Sequence, residues 1–284
     1  MRVSSRYAAV GFAILVVLGG AWVARAEPVD LDPTLPLVSY DAFEYGFRGP
    51  DQFEAGMLTL QVVDTGKESH QMQLIKLEGG HTAAEFAAAV KAVPRQVPAW
   101  ARVMGGPNGV VAGTRSHSVQ KVEPGDYVLV CWMPDSKGAA HLTLGMTKSI
   151  TVTPGTAKIQ PEITPDATIT LVDFQYKLSK PIAAGHRTIE VVNNGQQVHE
   201  TLVVLLPAKG SVKAFGESLA PGKPSPSSSL GKPVGGIVGL APGDRALFHM
   251  DFRPGHYGLL CLFPDHTTGE SHFEKGMALE FDVK

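Results

Sequence analysis

The chain says nearly everything twice. Pro124, Gly125, Tyr127, Leu129, Cys131, Pro134 and Asp135 of 122-VEPGDYVLVCWMPD-135 return as Pro254, Gly255, Tyr257, Leu259, Cys261, Pro264 and Asp265, each 130 residues later. Upstream, 56-GMLTLQVVDTGKESHQMQLIKL-77 aligns with 185-GHRTIEVVNNGQQVHETLVVLL-206 at an offset of 129, which pairs Gly66 with Gly195 and His70 with His199. Gly105-Gly106 returns as Gly235-Gly236, and 44-EYGFR-48 matches 173-DFQYK-177 more loosely. An ungapped match of this length is an internal duplication. It divides the chain into two domains, 27–157 and 158–284, with the boundary in the Pro- and Thr-interrupted 153-TPGTAKIQPEITPDA-167. Each half has about 115–125 residues, an ordinary size for a single core.

Within each half the pattern is that of an all-β protein. LTLQVVD and TIEVVNN alternate or run apolar, TG and NG supply turns, and QMQLIKL and TLVVLL form the next strands. Tyr127 to Cys131 and Tyr257 to Cys261 read as short buried strands after a Pro-Gly turn. One segment departs: 81-HTAAEFAAAVKAV-93 is Ala-rich, with Thr82 as N-cap and Glu85 three residues on, and predicts a short helical insert in the first half. Its counterpart, 211-SVKAFGESLAPGKPSPSSSLGKP-233, begins as a weak helical turn and becomes a Ser/Pro-rich surface loop.

The first 26 residues stand apart. Arg2 and Arg6 precede the apolar AAVGFAILVVLGGAWV, and 24-ARA-26 ends in small residues. This is the order of a secretory signal peptide, with cleavage after Ala26 and an uncleaved membrane anchor as the alternative. Either places the body of the protein outside the cytoplasm, in the periplasm or secreted. The formal charge of −2 and the lack of a basic run argue against a nucleic-acid partner.

Two cysteines in an exported chain first suggest a disulfide. Their equivalent positions in separate domains weaken that reading, because a bridge needs Cα atoms within about 7 Å. A different chemistry fits better. The first half carries His70, Cys131, His141 and Met146, and the second His199, Cys261, His272 and Met277. The spacing is C-x9-H-x4-M in one and C-x10-H-x4-M in the other. Two imidazoles and a thiolate in a plane, with a weak axial thioether, suit copper in both oxidation states. Zinc prefers a tetrahedral set without a thioether, and iron–sulfur clusters need more thiolates.

With a turn before the first His, a G-x-Y strand into the Cys and a closing Gly-Met, each half resembles the cupredoxin family of blue copper proteins. The resemblance covers nearly all of the chain after residue 26. It implies two tandem Greek-key β-sandwich domains, copper in two type 1 sites, and His141 and His272 near the surface where electrons enter. Two features depart from the family. The Cys-to-His loops are longer than in small electron carriers, and Gln71 and Glu200 replace the Asn or Ser that often follows the first His.

Two-domain copper enzymes add metal centres built from His-x-His pairs and a His directly before the Cys. This chain has no His-x-His, and Val130 and Leu260 precede the cysteines. The expectation is therefore a non-enzymatic carrier of single electrons with a redox partner protein. The alternatives are a copper-storage module and a copper-free structural pair of sandwiches. His81, His117, His186, His249 and His266 do not recur and are expected on the surface; His256 and His266 are candidates for accessory copper contacts. Tyr127 and Tyr257 are expected to pack under sheet corners.

Overall fold

A computed structural model describes residues 31–93, 96–156, 162–220 and 222–284. The signal segment 1–26 lies outside the described residues, as do residues 157–161 on either side of the expected domain boundary. Among the described residues no helix is long and apolar enough to cross a membrane.

The first half contains β1 (Leu37–Phe43), β2 (Gly46–Arg48), β3 (Gln52–Glu54), β4 (Gly56–Asp64), β5 (Gln73–Leu77), α1 (Ala83–Ala92), β6 (Ala101–Val103), β7 (Arg115–Val122), β8 (Gly125–Val130) and β9 (Thr147–Thr153). The second half repeats the plan with β10 (Ala167–Val172), β11 (Gln175–Leu178), β12 (Gly185–Asn193), β13 (His199–Leu206), α2 (Val212–Ser218), β14 (Lys232–Leu240), β15 (Arg245–Phe252), β16 (Gly255–Leu260) and β17 (Ala278–Val283). In each half the chain crosses between two sheets after β4 or β12, and again after β7 or β15. The first-half sheets are ordered β2-β1-β4-β7 and β3-β9-β8-β5-β6, and the second-half sheets β11-β10-β12-β15 and β14-β13-β16-β17. This is the expected Greek-key sandwich, made twice.

Alternation explains which face of each strand is buried. Val38, Tyr40 and Ala42 of β1, with Leu58, Leu60 and Val62 of β4, face Leu129 and Tyr127 of β8 across the first core. Ile169, Leu171, Ile189 and Val191 face Leu259 and Tyr257 in the second. Both tyrosines close a corner as expected: Tyr127 Oη donates to the Glu123 carbonyl at 2.7 Å and Tyr257 Oη to that of Arg253 at 3.0 Å. The outer face of each second sheet needs a cover, which α1 and α2 supply. Phe86 and Val90 of α1 pack on Ile75 and Val128, and Phe215 of α2 on Val204 and Leu260.

α1 starts where its capping box predicts: Thr82 Oγ1 accepts from Glu85 N, and Glu85 Oε2 accepts from Thr82 N at 2.7 Å. The weak helical turn of the second half is a seven-residue helix capped by Ser211. The Ser/Pro-rich stretch after it is held down. Ser225 donates to the Pro134 carbonyl through Oγ and to that of Asp135 through N, so it clasps the Cys131–His141 loop of the other half.

The two halves share one sheet. β7 and β15 pair antiparallel at Val119↔Leu247, which joins their sheets into eight strands. A second seam brings the repeated Gly-Gly segments together through the bridges Met104↔Leu240, Pro107↔Ile237 and Val110↔Val234. Subtracting the repeat offset of 130 turns these into 104↔110, 107↔107 and 110↔104, the signature of a local two-fold axis between equivalent residues. The seam corrects one expectation. His117 and His249 are not on the surface: they are 2% and 8% exposed, and their rings stack across the β7–β15 junction. A solvent-facing strand position becomes buried when a second domain extends the sheet.

Candidate metal centres

Each site is assembled by strand ends. His70 follows the turn after β4 and is pinned by a two-way backbone bridge to Val110, while His199 opens β13. Cys131 and Cys261 lie just past β8 and β16, fully buried and free, so no disulfide joins them. The loop then returns His141 so that its N–H donates to the Met133 carbonyl, and His272 so that its N–H donates to that of Phe263. Asp135 and Asp265 shape these loops: Asp135 Oδ1 accepts from Lys137 N and Ala139 N, and Asp265 Oδ1 from Thr267 N and Thr268 N. The Pro-Asp pairs are turn chemistry, as the sequence implies.

The result is two convergent trios, His70–Cys131–His141 and His199–Cys261–His272, each with its donor atoms within 4.8 Å of one another. In the first, the two Nδ1 atoms are 3.1 Å apart and Cys131 Sγ is 3.5 Å from His141 Nδ1. In the second, the Nδ1 atoms are 2.9 Å apart, with Cys261 Sγ 3.4 Å from His272 Nδ1 and 4.0 Å from His199 Nδ1. An ion held in a trigonal plane at about 2.0 Å by nitrogen and 2.3 Å by sulfur needs donors roughly 3.5–3.7 Å apart. The Sγ–Nδ1 separations lie on either side of that spacing, and the two Nδ1–Nδ1 separations are a few tenths of an ångström shorter than it. Met146 and Met277 are fully buried in the same core clusters as their cysteines, and each donates its N–H to the carbonyl of the preceding histidine of its trio.

The far nitrogens explain why Nδ1 is the donor on offer. His70 Nε2 faces Glu44 Oε1 at 3.3 Å, His141 Nε2 faces Glu68 Oε2 at 3.0 Å, His199 Nε2 faces Asp173 Oδ1 at 2.7 Å and His272 Nε2 faces Gln197 Oε1 at 3.3 Å. An Nε2–H donated to oxygen leaves the Nδ1 lone pair aimed inward. Gly66 and Gly195 make room for this contact, since a Cβ would lie 2.7 Å from His70 Nε2 or 2.6 Å from His199 Nε2. Glu44, Glu68, Asp173 and Gln197 escaped the sequence reading, although the 44–48/173–177 match and the 129-residue offset already paired them.

Burial sets the protonation states. It lowers His70 and His272 to about 4, and it holds His141 and His199 below the usual imidazole range. It also pushes the Cys131 thiol up to about 12 and Cys261 well above its ordinary value. Backbone N–H groups of Gln71 and Glu200, the two residues that depart from the family pattern, donate to Cys131 and Cys261 Sγ at 3.4 Å. Neutral imidazoles beside a protonated thiol form a site that binds a cation by releasing one proton. Soft sulfur with two imidazoles is a donor set that fits copper. Of the two proposed accessory contacts, His256 is occupied by Glu280 and Asp282.

No family model and no curated protein matches the sequence. Solved structures do. The chain is similar to reduced auracyanin from Roseiflexus castenholzii (21% identity over 42% of this chain and 97% of that one, TM-score 0.28). It is also similar to a multicopper oxidase (14%, 87% and 88%, TM-score 0.25) and to the copper-containing nitrite reductase of Thermus scotoductus (15%, 88% and 62%, TM-score 0.25). Each half has a cupredoxin-like fold, a Greek-key sandwich with a buried His–Cys–His trio at equivalent positions of both.

Proposed function

We propose that the chain is an exported copper protein with a type 1 site in each half, His70, Cys131, His141 and Met146 in the first and His199, Cys261, His272 and Met277 in the second, and that it carries single electrons to and from a redox partner. The observation that carries this reading is the pair of buried trios, each with neutral Nδ1 donors and a thiol already converged. Copper supplies the one-electron couple. The protein supplies a rigid strand-end frame that holds the donors in place whichever oxidation state is present, which keeps the rearrangement per electron small. We read the chain as a carrier rather than a catalyst, because Val130 and Leu260 stand where a multicopper enzyme places the histidine that leads to its catalytic metals.

The test is the visible spectrum of residues 27–284 loaded with Cu(II), beside Cys131→Ser and Cys261→Ser. An intense thiolate-to-copper band that falls by about half in each variant is expected. A colourless protein that retains Cu(I) would make it a storage module. Oxygen consumption or nitrite loss on adding a reductant would make it an enzyme.

A further inference from the structure

One polar connection runs from the first trio to the second. His70 O accepts from Val110 N at 3.0 Å, and the neighbouring Gly109 N donates to Asn108 Oδ1 at 2.7 Å. Asn108 Nδ2 then donates to Glu200 Oε2 across the domain seam at 3.2 Å. Glu200 is the residue after ligand His199. Its N–H reaches Cys261 Sγ, and its Oε1 accepts from Leu262 N at 2.8 Å, one residue past the cysteine. Asn108 is fully buried and Glu200 is 5% exposed.

Asn108 Nδ2 also donates to the Ile237 carbonyl at 3.1 Å, yet the other half does without both polar residues. The repeat places Val238 at the position of Asn108 and Gln71 at that of Glu200, so the other half closes the same seam with an apolar residue and an uncharged one. A buried carboxylate and amide are costly unless mutually satisfied, and they form on only one side of the local two-fold axis. Alongside, a cavity of about 270 Å³ is lined from both halves by the residues that follow the cysteines, Trp132 and Met133 against Leu262 and Phe263. Electron tunnelling falls off less steeply through covalent and hydrogen bonds than across open space. We propose that Asn108 and Glu200 are positioning residues for electron exchange between the two sites, linking His70 to Cys261 through the seam. One electron leaves one site and arrives at the other with no proton transferred. External one-electron donor and acceptor proteins fill and empty the pair. This rests on the reading of both trios as copper sites.

The experiment uses copper-loaded residues 27–284. A substoichiometric pulse of a one-electron reductant is followed by the redistribution of the two bands, assigned from the single-cysteine variants. The wild type is expected to show a first-order phase independent of protein concentration. Asn108→Val, which installs the residue the other half already uses, slows that phase at least tenfold. Glu200→Gln slows it less, because one amide oxygen can serve Asn108 or Leu262 but not both. The reduction potentials of the individual sites, measured in the Cys→Ser backgrounds, stay where they were in Asn108→Val. In the metal-free protein, a double-mutant cycle on denaturant stability shows Asn108 and Glu200 coupled. An unchanged rate in Asn108→Val, a wild type without the concentration-independent phase, or an uncoupled cycle each overturns the proposal. Absence of the thiolate–copper bands from the wild type would instead remove the copper reading beneath it.

Discussion

At the scale of single residues, the two sites are copies with one charge exchanged. The first places Glu68 against its returning histidine and Gln71 beside its cysteine. The second places Gln197 and Glu200 at those positions. A carboxylate on Nε2–H raises the basicity of the metal-binding nitrogen and favours the more highly charged metal ion. Glu68→Gln, which gives the first site the arrangement of the second, is therefore expected to raise its reduction potential and to weaken Cu(II) binding about 10–100-fold. Spectroelectrochemistry in the Cys261→Ser background checks it, and a potential that falls would contradict the reading. The six histidines and cysteines that the fold brings together were legible in the sequence because their residue types and order are themselves the chemistry. The oxygens behind them were not. Glu44 lies 26 residues before the histidine it holds, and only the folded path of β1 beside β4 joins the two.

At the scale of elements, strands and caps were legible wherever a local rule applied: alternation, the Pro-Gly turns, the Thr82–Glu85 capping box. Thr82→Ala is expected to cost about 1 kcal/mol, measured as a shift in denaturant midpoint at constant slope. The repeated Gly-Gly pairs were visible as a recurrence without a reason. The neighbouring strand of the same half supplies one. Gly106 and Gly236 sit at φ of 123° and 105°, and a Cβ there would come within 2.2 Å of the Met72 carbonyl and 1.9 Å of that of Thr201. Only glycine allows the backbone to pass so close while turning that way. Gly236→Ala is thus expected to destabilise the protein by about 3 kcal/mol or more, through backbone strain combined with an immovable contact. A loss below about 1 kcal/mol in urea unfolding would show that the backbone of β13 and β14 can relax around the added methyl.

At the scale of the whole molecule, how the halves meet was not legible, since no motif encodes which strand edges pair. Histidines at the seam carry the consequence. Among the described residues His117 has no hydrogen-bond partner on either ring nitrogen, and His249 holds Thr188 Oγ1 through Nδ1 at 2.9 Å with no such partner for its Nε2. His186 stacks on the far face of His249 and pairs with Asp251. Burial, with the nearby His249, His186 and Arg115, lowers His117 to about 3. Burial and His186 also lower His249, against the opposing pull of Asp32 and Asp166. An unfolded histidine binds its proton near pH 6.5, so between that pH and about 3 the unfolded chain holds a proton that the folded His117 refuses. The stabilisation is complete above pH 6.5 and is lost as pH falls through this window. His117→Phe fills the same space without titrating. Between pH 7 and pH 4.5, metal-free wild type should lose about 1–3 kcal/mol more stability in urea than this variant. Buried histidines of the trios, such as His70 and His272, also weaken the fold as pH falls, but they do so in both proteins and cancel in the difference. Parallel losses would mean that His117 takes up its proton without opening the seam. A larger loss in the wild type would show that burial of His117 at the β7–β15 junction makes the folded chain acid-sensitive.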